Sequence, residues 1–536
     1  MKSVHLTRAV SIIAILVSLA VVVNADEKPV PVKQVTAKID GFLESHWSAN
    51  KVQPANRCDD ATFLRRATLD LIGRIPTTDE LDKFLADKSD DKRSKTIDRL
   101  INGPEFPLHM GNVLDQMIQS RYAGNDAFVD YLRRSIRDSK SWDAIFREMM
   151  LGPWDTDERK PANRFLDKRA KTSDVLAVDT ARVFFGVDSS CAKCHDHPLV
   201  DDWKQEHFYG MVAFFNRTTG GKGKIGEKKD GEVMFLGSDG QEKVAKAMFL
   251  SGQMIEEPNV ATAKTDEEKP QTISRREQLV KVAIEQEKFF SRAIVNRMWD
   301  YFFGRGLVDP VDQMHSGNDS AIPGLLEWLS EDFANSGYDM RRLVTAIVST
   351  RAYQLSSRWE QDSAPPKPSS FAAAALRPLS RQQLAFSLLL ATGNGNISPP
   401  SDIQSRVERY AGVAGLQRIE QYLTIEKQAA GLATSLDARR ADFHSSVGEA
   451  LFMSNNAAAQ QLINASDNNL AAQLSAFEDN DQLVTKAVRA VLSRKPHEDE
   501  LTRLTDWLTR QGDDRRQASE QLVWVLVTSA EFRFNH

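Results

Sequence analysis

Apolar residues recur at three- and four-residue spacing along most of the chain, which predicts a mainly α-helical protein. Phe63, Leu64, Ala67 and Leu71 share one such face, and Gly73 stands where a helix can end left-handed. After Pro76, Thr77-Thr78-Asp79-Glu80 forms a capping box at the head of a helix carrying Leu81, Phe84 and Leu85. Further helical stretches are predicted at 92–101, 109–120, 126–136 and 141–151, and from Ser173 to Gly186. A second capping box, Ser274 to Glu277, opens a long helix through Phe289, Ile294 and Trp299. Leu325, Trp328, Leu329 and Phe333 line one later face, and Leu343 and Ile347 another. Leu384 to Leu390 and helices near 435–465, 482–493, 498–511 and 515–530 complete the pattern, without a fixed repeat.

Two interruptions divide this pattern. Residues 217–273 begin with Gly220, Gly221, Gly223 and Gly226 among lysines, which predicts a flexible loop. Val233 to Leu236 and Val244 to Leu250 then flank Ser238-Asp239-Gly240, the signature of a small β-hairpin, before a polar run at 258–272. Residues 361–370 are too proline-rich for a helix. The expected architecture is a helical part at 26–216, a hairpin-bearing junction at 217–273, helices at 274–360, a linker at 361–370 and helices at 371–536.

The start of the chain alters the setting. Lys2 and Arg8 precede an apolar run from Ala9 to Val23, and Val23-Asn24-Ala25 resembles a signal-peptidase site before Asp26. The run is shorter than the ~20 residues that span a bilayer comfortably. A secreted or periplasmic protein is expected, with cleavage after Ala25 and no membrane span beyond the signal segment. Without that segment, 67 basic residues face 74 acidic ones, which gives no electrostatic footprint for nucleic acid. Only Cys58, Cys191 and Cys194 occur, too few for a disulfide scaffold.

Two of those three cysteines fall in Cys191-Ala192-Lys193-Cys194-His195, the attachment pattern of a c-type haem. Two thiols about one turn apart reach the two vinyl groups of one porphyrin, and the adjacent imidazole serves as proximal ligand. Pro198 keeps His197 out of the helical region, so a new helix is expected to be capped by Asp201-Asp202. On it, Trp203, His207, Met211 and Phe215 would share a face, and His207 or Met211 could supply a second axial ligand. The plainer alternative is a half-buried histidine and a core methionine. Cys191, Cys194 and His195 with His197 or His207 could instead hold zinc or iron, and a local disulfide is the third option.

Asp309, Asp312 and His315, after the Gly304-Arg305-Gly306 turn, are a lesser candidate for metal or acid–base chemistry, or a structured loop of capping carboxylates. Trp299 and Tyr301-Phe302-Phe303 read as core. His109 is a remote ligand candidate, and Cys58 sits in a polar stretch. No Gly-x-Ser-x-Gly elbow, nucleotide loop or His-Glu-x-x-His occurs.

FLRRATLDLIGRIPTTDELDKF (63–84) and VDTARVFFGVDSSCAKCHDHPLVDDWKQEHFYGMVAFF (178–215) resemble the planctomycete secreted cytochrome-like domain. FFSRAIVNRMWDYFFGRGLVDPVDQM (289–314), LLEWLSEDFANSGYDMRRLVTAIVSTRAYQLSS (325–357) and LVWVLVTSAEFRFNH (522–536) resemble its companion, the planctomycete secreted domain. The resemblance implies an exported protein of undefined activity, often found beside genuine cytochrome domains. It extends the motif to Cys191, Cys194, His195, Asp196, His197 and Pro198, with Trp203, Phe208 and Tyr209 following. Val113-Leu114-Asp115 departs from the family's Trp-Leu-Asp, and no later methionine loop of the usual cytochrome c kind is present.

Three functions stay open on the sequence. The first is a redox protein with one covalent haem c and a cytochrome or other extracytoplasmic redox partner. The second is a zinc- or iron-dependent enzyme using the Cys/His cluster. The third is a non-catalytic envelope or polysaccharide-binding scaffold.

Overall fold

The structure is a computed structural model. It describes residues 30–536 except 121, 123–124, 198–199, 222, 256–272, 287, 395–402, 409, 411–414, 435–456, 467 and 513. The expected signal segment and the polar run at 258–272 lie outside the described residues, as do residues 435–456 of one expected helix.

The protein is mainly α-helical, with only two-stranded antiparallel sheets among the described residues. Helices form where period and caps agree. Asp59 caps Asp60–Ile72 through Thr62 N, and Gly73 ends it at φ +75°. Thr77 and Glu80 close both arms of the capping box on Thr78–Ala86. Lys92–Ile101, Asp126–Arg137, Trp142–Leu151 and Ser173–Phe185 follow as expected, and Glu105–Gln119 begins four residues before the expected 109. The expected long helix after Ser274 is divided into Arg275–Lys281, a π-helical turn at Val282–Gln286 and Phe289–Phe303. Past that division, Phe290 packs on Phe146 with ring centroids 4.8 Å apart, and Phe289 faces Phe249 at 5.9 Å.

The apolar side chains form two cores. One runs from Val35 to Ala372, and the other gathers residues 384–532 with Leu69, Ile75 and Leu108. The 274–360 helices therefore share the core of the first helical part, and the change of core falls beside the 361–370 linker.

The 217–273 junction lies against the first core. The glycine-rich start, expected to be a flexible loop, is a hairpin pairing Thr218–Gly221 with Lys224–Glu227. Gly220 permits it, since a Cβ there would come within 2.4 Å of Ala170. The second hairpin pairs Val233–Leu236 with Glu242–Ala245, an earlier partner than the expected 244–250. Ala247, Phe249 and Leu250 leave the strand because they are drawn into the core.

A buried polar network joins the parts. The Asp70 carboxylate accepts hydrogen bonds from Tyr353 Oη (2.8 Å), Arg377 Nη2 (2.7 Å) and Asn535 Nδ2 (2.8 Å). Its carbonyl accepts Tyr301 Oη at 2.9 Å, and that hydroxyl lies 2.9 Å from His109 Nε2. Residues 534–535 pair with 377–378, fixing the end of the chain beside Asp70.

His109, the remote ligand candidate, is thus a buried partner of Tyr301. Burial, reinforced by Arg133, pushes its pKa down to about 3 from 6.5. The unfolded chain therefore binds a proton that the fold refuses between those values. His109's contribution is fully present above pH 6.5 and is lost progressively as pH falls. At pH 4.5 the loss is about 2–3 kcal/mol. Chemical denaturation at pH 7 and 4.5 should show a smaller acid loss in His109→Gln than in the parent, by about that amount.

Candidate functional site

The cysteine segment is shaped by the turn before it. Ser173–Phe185 ends at Gly186, φ +68°, where a Cβ would meet Met314 Sδ at 2.8 Å. The chain then pairs briefly with the 309–315 loop. Met314 N donates to Gly186 O at 3.0 Å, Asp188 N donates to Asp312 O at 2.8 Å, and Val187 bridges Gln313. Arg182 lies across the seam, 2.7 Å from the Asp188 carboxylate and 3.6 Å from that of Asp312. The two motifs that the sequence presents separately are therefore one structural unit.

Gly186→Ala should destabilise that seam by about 1–2 kcal/mol, the usual cost of a left-handed non-glycine residue, with the Met314 clash added to it. Urea denaturation of the variant beside the parent measures the difference; unchanged stability would show that the seam tolerates a side chain.

Asp188 Oδ1 accepts Ser190 N at 3.0 Å and so starts the 3₁₀ turn Ser190–Lys193. Burial works to raise the Asp188 pKa, but the Ser190 hydrogen bonds and Arg182 outweigh it and hold the carboxyl below its usual range. Ala192 is fully buried and anchors the turn, while Cys191 and Cys194 are exposed free thiols. Lys193 Nζ pairs with Asp174 at 2.8 Å.

Hydrogen bonds distinguish the imidazoles. His195 is exposed, and its Nδ1 lies 2.6 Å from Asp196 O. A carbonyl only accepts, so Nδ1 carries a proton, and in the neutral ring Nε2 keeps its lone pair. His207 is the reverse: its Nδ1 accepts Lys204 N at 3.1 Å, so in the neutral ring Nε2 holds the proton. Burial first, then Lys204, pushes the His207 pKa down. His315 Nδ1 likewise accepts Gly317 N at 3.2 Å. The His197 ring stands 6.5 Å from that of His315.

The helix carrying His207 and Met211 is Gln205–Phe215, not one begun at Asp201-Asp202. Asp196 Oδ1 accepts Gln205 N at 2.9 Å and does the capping. Asp202 turns instead to the other loop, accepting Ser316 N at 2.6 Å and Ser316 Oγ at 2.5 Å. Trp203 therefore precedes the helix, against the expected shared face. Met211 is fully buried in the core, and His207 is spent on its own helix terminus, so neither is set up as an axial ligand in this conformation. Among the described residues no three His, Cys, Asp or Glu side chains gather closely enough to hold a metal ion, so the Cys191, Cys194, His195 and His197 or His207 set is not pre-assembled.

Two family models match the chain in order: PSCyt2, protein of unknown function (DUF1549), over residues 38–220, and PSD1, protein of unknown function (DUF1553), over residues 275–508. This is the two-domain planctomycete-type arrangement. The chain carries the PSCyt2 domain followed by the PSD1 domain. No curated protein matches, and no solved structure does. In family terms, the Cys191–His195 turn lies in the PSCyt2 stretch and the Asp309–His315 loop that braces it lies in the PSD1 stretch. PSD1 residues also extend across the change of core, so the family boundary and the packing boundary differ. Among the described residues no helix is long and apolar enough to cross a membrane.

Arg182, Asp188, Gln205 and Ser316 are supporting residues that sequence reading missed, and Asp202 serves the 309–316 loop instead of the helix cap expected of it. A visible signal existed for Asp188 alone, which stands two residues before a serine in the Asx-turn pattern.

Proposed function

We propose that this protein is an extracytoplasmic redox protein that carries one covalent haem c on Cys191 and Cys194, with His195 as proximal ligand. The observation that carries this reading is the His195 hydrogen bond. With Nδ1 donating to the Asp196 carbonyl, Nε2 of the neutral ring keeps its lone pair, and both thiols of the motif are exposed. A backbone carbonyl on the far nitrogen is the usual support that orients a ligating histidine and raises its basicity.

The donor set fits the group. Cys191 and Cys194 would hold the haem as thioethers: each S–H would add across one porphyrin vinyl group, exchanging the S–H bond and the vinyl π bond for an S–C and a C–H bond with no electrons left over. The bound haem would supply one-electron exchange at its iron. The chain's own residues do the remaining work. Buried Ala192 and Asp188 fix the turn, Asp196 orients both His195 and the Gln205–Phe215 helix, and the 309–316 loop braces the turn from behind.

The test is a pyridine haemochrome assay on full-length protein made with a haem-maturation system. About one haem per chain, resistant to acid–acetone extraction, is expected. Protein that matures without haem would sink the reading.

A further inference from the structure

The proline-rich 361–370 segment is tied down along its length. Trp359 Nε1 donates to Ser363 O at 2.6 Å, Gln361 Nε2 to Pro54 O at 3.2 Å and Trp47 Nε1 to Ser370 O at 2.7 Å. With Pro365, Pro366 and Pro368 this segment lines a cleft of about 740 Å³. The end of the Phe289–Phe303 helix, residues 373–378, Asp70 and Asn535 line the rest. Four of the five stretches that carry the family resemblance meet there: 63–84 through Asp70, 289–314 through Asp300 and Arg305, 325–357 through Ser357, and 522–536 through Asn535. The cysteine turn contributes nothing to it.

The lining selects its ligand by chemistry. Its charges balance: Arg377 lies 2.7 Å from the Asp70 carboxylate, Arg305 lies 3.1 Å from that of Asp309, and Asp300 and Lys367 are opposite in sign. No excess charge therefore draws an anion or a cation. The half-buried Trp359 and the 45% exposed Leu376 put apolar surface beside the hydroxyls of Ser357 and Ser380. Asn535 is 3% exposed, and its Nδ2 is committed to Asp70 at 2.8 Å, which leaves Oδ1 without a hydrogen-bond partner. A buried acceptor left in this way costs free energy until a donor reaches it. Hydroxyl groups are donors that bring no charge. Prolines and tied backbone also form the cleft in advance, so little ordering opposes binding.

We propose that this cleft binds a neutral oligosaccharide, whose C–H faces pack on Trp359 and whose hydroxyls meet the polar groups of the cleft. The proposal is independent of the haem reading, since no residue of the cysteine turn takes part.

Calorimetric titration of the full-length protein with neutral hexasaccharides of β-1,4-glucan, β-1,4-mannan, β-1,4-xylan and β-1,3-glucan tests it. Hexagalacturonate serves as the charged probe and decaproline as the peptide probe. At least one neutral hexasaccharide is expected to bind, with affinity falling at least about tenfold in Trp359→Ala, the loss of a central aromatic anchor. Trp359→Phe, which keeps an aromatic face, should stay within a few-fold of the parent. Ala375→Arg places a bulky side chain at an exposed position of the cleft, and should weaken binding by a similar factor without moving the denaturation midpoint. It keeps the test decisive should Trp359→Ala fold poorly. Absence of binding by every neutral hexasaccharide overturns the proposal, as does binding of hexagalacturonate or decaproline alone. Affinity unchanged in Ala375→Arg would place the saccharide elsewhere and also overturn it.

Discussion

Asp70→Ala is expected to cost about 3–5 kcal/mol of folding stability, the loss typical when one partner of a buried charged pair is removed. Asp70 is 1% exposed, and its carboxylate accepts from Tyr353, Arg377 and Asn535 together. Those donors come from the end of the first core, the segment after the linker and the chain terminus. Removing the acceptor leaves a guanidinium, a hydroxyl and an amide without their partner in a site closed to water. Asp70→Asn should recover part of the loss, because one oxygen can still accept. Urea denaturation of both variants reads this directly, and a loss below about 1 kcal/mol for Asp70→Ala would show that the network is dispensable.

Replacing Cys191 and Cys194 together by serine should abolish covalent haem, from about one per chain to none, with little change in the fold. Both thiols are exposed and unpaired, so neither contributes packing that serine would remove; surface changes of this kind usually stay within about 0.5 kcal/mol. The single variants should each retain one thioether at most. Haem content by pyridine haemochrome, with denaturation midpoints as the fold control, distinguishes loss of attachment from loss of structure. Undiminished haem in the double variant would place attachment elsewhere.

Much of the fold was legible because helical period and caps coincide. Thr77–Glu80 and Gly73 mark helix ends by chemistry that acts within four residues, and such local signals survive in one sequence. The Val32–Ala49 helix was passed over, although Val35, Ile39, Leu43 and Trp47 bury one four-residue stripe that could have revealed it. The glycine-rich hairpin was misread because close approach to Ala170, not mobility, requires Gly220.

The site was legible in composition but not in assembly. The Cys191–His195 motif is visible as a spacing of residue types. Its brace is not, since Asp312 and Ser316 reach it from more than a hundred residues away, and no periodicity encodes that meeting. The expected helix start, and with it Trp203's place on the His207/Met211 face, changed for a local reason. Two adjacent aspartates looked like the cap, but Asp196 took that role from nine residues upstream and moved the helix start to Gln205. The tautomers of His195 and His207 were also beyond the sequence, because each is set by a backbone group that only the folded turn brings near.

The central claim is covalent haem at Cys191 and Cys194, and intact-mass spectrometry of the matured chain, with fragmentation across residues 191–195, tests it most directly. The account predicts a mass increase of one haem, localised to those two cysteines and unaffected by denaturation. A chain of unmodified mass, with both thiols open to alkylation, would contradict it.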